Sequence, residues 1–109
     1  GDTPVGGYVA HKEQITDLLS FVASLETLGI RGFALSLNDN VATLYLGKVK
    51  NANAPKIMWN IDDNYSTIGS NLSSALSVEP MKSEVFDEAK ELDYIDLRYE
   101  GKVYYKLKE

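Results

Sequence analysis

The stretch from Leu92 to Lys108, LDYIDLRYEGKVYYKLK, decides the fold. Two runs of alternating apolar and polar residues flank Tyr99-Glu100-Gly101, the pattern of a β-hairpin whose three-residue loop holds glycine in the left-handed conformation. In that register Ile95, Leu97, Val103, Tyr105 and Leu107 share one face, and Tyr94, Asp96, Arg98, Lys102, Tyr104 and Lys106 share the other. A slip of one residue would mix the two sets, so the sorting itself argues for the register.

Working outward, Ile30 to Leu46 reads as a second hairpin turning at Asp39-Asn40. A two-residue loop pairs Leu37 with Ala42, Leu35 with Leu44 and Phe33 with Leu46, all on one face, and Asp-Asn suits a type I′ turn. Before it, Ile15, Leu18, Leu19, Val22 and Leu25 follow helical spacing from Lys12 to Leu28, with Gly29 as the stop. Residues 1–11, which contain Pro4 and Gly6-Gly7, read as a loose lead-in to a single α+β domain over 12–109. Gly1 with no initiator Met reads as an expression scar, which leaves room for an anchor or domain upstream in the native protein.

After a polar loop from Gly47 to Ala54, Pro55 opens a short strand with Ile57, Trp59 and Ile61 turned inward. Asp62 or Asp63 is the expected cap of a second helix carrying Tyr65, Ile68, Leu72 and Leu76, stopped by Pro80. Ser83 to Leu92 reads as a short acidic helix or an ordered loop. The expected architecture is an antiparallel or mixed sheet of about five strands with two or three helices on one face.

Composition narrows the functions. At 109 residues, 44% hydrophobic and 25% charged, the chain has an ordinary globular make-up and enough length for one modest core. Its net charge of −5 gives no basic field for nucleic acid or an anionic membrane. Glu79 to Asp96 holds seven acids against Lys82 and Lys90, while Arg98 to Lys108 holds four bases against Glu100. The absence of cysteine removes thiolate catalysis, disulfides and cysteine metal sites. No run approaches the ~20 apolar residues of a membrane span.

Enzymatic chemistry finds little support. His11, the one histidine, has no Ser/Asp pattern beside it and reads as an exposed terminal residue. Asp62-Asp63-Asn64 lacks the spacing of a calcium loop, and helix capping explains it at less cost. Glu84, Asp87, Glu88 and Glu91 read as a solvated acidic face, since paired catalytic carboxylates need a cleft at a defined separation. Tyr94 and Tyr104 beside Lys102 and Lys106 suit protein contact better than base stacking, because the chain is acidic and lacks the motif of RNA-binding sheets. The expectation is a non-enzyme without cofactor or metal.

The terminal run also carries a family resemblance. Ile95-Asp96-Leu97-Arg98-Tyr99, a short turn and then Val103-Tyr104-Tyr105 resemble the end of the extracytoplasmic β domain of the FtsQ/DivIB bacterial cell-division family. The upstream order is similar: a helix closing in Leu25-x-x-x-Gly29, a strand pair, the strand with Trp59 and a helix with Asn71-Leu72. The likeness spans Lys12 to Leu107, with only the terminal motif specific. It implies a non-catalytic scaffold on the outer face of the cytoplasmic membrane, whose terminal strands accept a strand from coiled-coil partners of the FtsB/DivIC and FtsL type. Carried to matching positions, the implied contacts are Tyr99, Lys102, Val103, Tyr104, Tyr105 and Lys106, while Asp96 and Arg98 pair within the polar face as a structural couple. Two other readings stay open. One is a small ligand-binding or enzymatic α+β domain with a pocket near Trp59, Tyr45 and Asp62; the other is a module that self-associates through the terminal edge.

Overall fold

The computed structural model describes residues 5–47, 54–87 and 91–108, with side chains from residue 15 onward. It is an α+β fold with the elements α1 (Val5–Thr27), β1 (Gly32–Asn38), β2 (Val41–Leu46), β3 (Lys56–Asn60), α2 (Tyr65–Ala75), α3 (Met81–Glu84), β4 (Leu92–Asp96) and β5 (Tyr104–Leu107). The five strands form one mixed sheet in the order β1-β2-β3-β4-β5. All neighbours are antiparallel except β3 and β4, which run parallel.

Register ties the strands into rows. Leu35, Leu44, Ile57, Ile95 and Tyr105 are successive cross-strand partners through all five strands, and Leu37, Ala42 and Trp59 make a second row on the same face. The helices cover that face. Leu18, Phe21 and Leu25 of α1, Ile68 and Leu72 of α2, and Met81 of α3 join Leu44, Ile57, Trp59 and Ile95 in one buried cluster. Phe21 sets its ring edge against Trp59, with centroids 4.9 Å apart.

Several expectations move. The first helix reaches back to Val5, so residues 5–11 are helical where a loose segment was expected. Once α1 is nucleated against the sheet, extending it costs little per residue, and Gly6 and Gly7 are the only strong penalties. Its phase also differs, because Ile15 and Leu19 are 47% and 54% exposed while Phe21 is buried. The aromatic contacts of Phe21 with Trp59 and Tyr65 fix that rotation. At the first turn, Asp39 has φ 55° and is the sole non-glycine with positive φ among the described residues. A type I′ turn needs positive φ at both loop positions, so this turn is of another kind. The expected Phe33–Leu46 pair gives way to Gly32–Leu46, because a bulge takes up Phe33.

Asn64, one residue beyond the expected pair, caps α2; its side chain accepts from the Thr67 N–H at 3.1 Å. That helix ends at Ala75 with Leu76 as C-cap, before Pro80 is reached. The loop expected over Gly47 to Ala54 falls mostly outside the described residues, as do the His11 side chain and Glu88. The terminal hairpin keeps the expected register over Tyr94, Ile95 and Asp96, opposite Lys106, Tyr105 and Tyr104, but a shift before Tyr94 sets Leu92 opposite Leu107. Its ladder also stops at Asp96–Tyr104, short of the expected three-residue loop, because the Leu97 N–H turns to the Met58 carbonyl of β3. Gly101 is left-handed at φ 70°, and the Lys102 N–H closes the loop on the Tyr99 carbonyl at 3.0 Å.

The phase of α1 has a measurable consequence. Phe21→Ala should cost about 3–5 kcal/mol in chemical denaturation. Leu19→Ala should stay within about 0.5 kcal/mol, as exposed substitutions do.

Candidate functional site: the open sheet face at the terminal hairpin

The face away from the helices carries two further rows. Ala34, Tyr45, Lys56, Tyr94 and Lys106 form one, and Ser36, Thr43, Met58, Asp96 and Tyr104 form the other. Toward β5 these rows line an open concavity of about 620 Å³, with Lys56, Met58, Tyr94, Asp96, Arg98 and Tyr104 around it.

Asp96 organises this region. It is only 5% exposed although its row faces solvent, because Met58 and Tyr104 flank it and Arg98 folds over it. The guanidinium grips the carboxylate with two bonds, Nε to Oδ1 at 2.9 Å and Nη2 to Oδ2 at 2.8 Å. The Arg98 backbone N–H adds a third to Oδ1 at 3.0 Å. Burial alone would push the Asp96 carboxyl up, but the hydrogen bonds and charge of Arg98 outweigh it and hold the carboxyl below its ordinary range. Asp96 in turn raises the Arg98 guanidinium. The two side chains thus pair within the polar face, as expected of a same-face couple.

From this pair an aromatic surface extends. Arg98 Cζ lies 5.9 Å from the centroid of the Tyr99 ring, and Tyr99 meets Tyr104 edge to face at 5.4 Å. Both tyrosines are about half exposed, at 53% and 46%. The chain at Arg98 is itself held to β3, where Asn60 Nδ2 donates to the Arg98 carbonyl at 3.1 Å and the Leu97 N–H donates to the Met58 carbonyl at 2.8 Å.

Of the six contact residues expected at the hairpin, Tyr99, Lys102, Tyr104 and Lys106 are exposed. Val103 and Tyr105 are half-buried with side chains packed on the core. The Tyr105 hydroxyl donates to Glu84 Oε1 at 2.6 Å, and this bond to a carboxylate raises its pKa. Lys56, Met58 and Tyr94 complete the concavity; alternation put Lys56 and Met58 opposite Ile57 and Trp59, but nothing local set β3 beside β4.

The residues named for a ligand pocket do not gather. Trp59 is wholly buried, Tyr45 is on the open face, and Asp62 lines a separate groove of about 590 Å³ with Asp17, Phe21 and Tyr65. Among the described residues no His, Cys, Asp or Glu group is placed to hold a metal, and no helix is long and apolar enough to cross a membrane.

These features define an α+β domain with an aromatic, basic edge. No family model, no curated protein and no solved structure matches the chain.

The Asp96–Arg98 pair should govern acid stability. Asp96→Asn should cost about 1–2 kcal/mol near neutral pH, allowing for solvent screening of the partly exposed Arg98. A carboxylate with a depressed folded pKa contributes above its unfolded value of about 3.9, and the contribution is lost as pH falls through the folded value. Denaturation midpoints of wild type and Asp96→Asn should therefore converge in acid.

Proposed function

We propose that this chain is a non-catalytic interaction domain that accepts an extended segment of a partner protein along the outer edge of β5. The observation that carries this reading is the place of β5 at the end of the sheet, with Tyr104 and Lys106 exposed on it. Backbone groups on the outer side of an edge strand have no ladder partner, and an added strand satisfies them. Tyr99 and Tyr104, in edge-to-face contact beside the Asp96–Arg98 pair, offer the incoming side chains an aromatic surface of the kind enriched at interfaces.

The resemblance of the terminal motif to the FtsQ/DivIB β domain supports the same mode and gives the proposal its setting. The domain works at the outer face of a bacterial cytoplasmic membrane, and its partners are coiled-coil proteins of the FtsB/DivIC and FtsL type. Lysines along the edge disfavour pairing with a second identical edge while leaving it open to a partner of different sequence.

Tyr104→Glu tests the assignment. The side chain is 46% exposed, so the variant should keep its circular dichroism spectrum. Calorimetric titration with a purified FtsB/DivIC-type ectodomain should show a loss of about 2 kcal/mol, roughly thirtyfold in affinity. Unchanged affinity in the folded variant would remove Tyr104 from the site.

A further inference from the structure

We infer that the opposite edge, β1, joins two copies of this chain by antiparallel self-pairing about Ser36. The strand has one neighbour, β2, so every second residue turns its backbone N–H and C=O to a side with no strand among the described residues. Natural edges are usually guarded by lysine, proline or a bulge. Residues 32–38, GFALSLN, contain no charge and no proline. Their bulge sits at Phe33, at the start, and leaves Ala34 to Asn38 in regular register. The other edge is unlike it: β5 carries Lys106, with Lys102 and Lys108 on either side.

The regular stretch is self-complementary. A two-fold axis through Ser36 sets Leu35 opposite Leu37 of the second copy on the helix-covered face. Ala34 then meets Asn38 of the second copy on the open face, with no like charges opposed. Leu37 is 49% exposed although it ends a row whose other members, Ala42 and Trp59, are fully buried. The second copy's Leu35 would cover it. The antiparallel sense also brings exposed Arg31, at one end of β1, toward exposed Asp39 at the other end of the second strand, twice by symmetry. That opposite charge at matching ends argues for a second copy over a foreign strand. The contact is isologous and closes at two chains. Five paired residues a side are few beside the ~1,600 Å² of a standard interface, so dimerisation follows concentration.

Sedimentation equilibrium of the intact chain, from micromolar to millimolar concentration, tests this. Wild type should dimerise. Ser36→Lys and Ser36→Glu place like charges across the axis, so each alone should be monomeric, and an equimolar mixture should recover the dimer. Wild type that stays monomeric throughout would overturn the inference. So would a dimer insensitive to both substitutions, or one abolished instead by Tyr104→Glu, which would assign the contact to β5.

Discussion

The parallel pairing of β3 with β4 is the constraint on which the rest depends. Three register pairs, Lys56–Tyr94, Ile57–Ile95 and Met58–Asp96, join an N-terminal β1-β2-β3 meander to the terminal hairpin. Parallel neighbours cannot be joined by a tight turn, so the chain between them must cross over the sheet. The crossover holds α2 and α3, and their apolar residues, with those of α1, close the core over Ile57, Trp59 and Ile95. With β4 fixed beside β3, the antiparallel hairpin has one place left for β5, at the edge. The exposed terminal strand is thus a consequence of the same contact that completes the core.

That contact also creates the need for Arg98. It sets the carboxylate of Asp96 beside Met58, where burial would be costly without a partner. Arg98, two residues on, supplies three hydrogen bonds and is itself tied to β3 through Asn60. Arg98 also lies against the Tyr99 ring, which in turn meets Tyr104 edge to face. Under the proposed binding mode the same buried charge would serve both stability and recognition, since ordering the aromatic pair before a partner arrives lowers the entropy lost on binding.

The sequence made the hairpins legible because their information is local. Alternation from Tyr94 to Lys106, with Gly101 at the turn, carries register and face together. The same holds for Leu35–Leu44 and Leu37–Ala42. The slip at Leu92 and the early end of the ladder at Asp96–Tyr104 leave no local mark. What depends on distant neighbours was not legible. Helical spacing in α1 fits two overlapping stripes, and only contact with Trp59 and Tyr65 selects the one containing Phe21. Asp62, Asp63 and Asn64 are all good caps, and the turn after β3 decides among them. The site divides in the same manner: Tyr99, Lys102, Tyr104 and Lys106 follow from alternation, whereas Lys56 and Met58 enter only through the parallel pairing. Val103 and Tyr105 were placed by the resemblance, which marks positions along a strand and not the face each one turns to.

Amide hydrogen exchange resolved along Tyr104–Leu107, in the free chain and with a coiled-coil ectodomain of the proposed FtsB/DivIC type, tests the central claim most directly. An open edge predicts that alternate amides of β5 exchange fast while the others are protected by β4. Partner binding should then slow the fast set. Uniform protection of β5 in the free chain, or a bound partner that leaves the fast amides unchanged, would contradict the account.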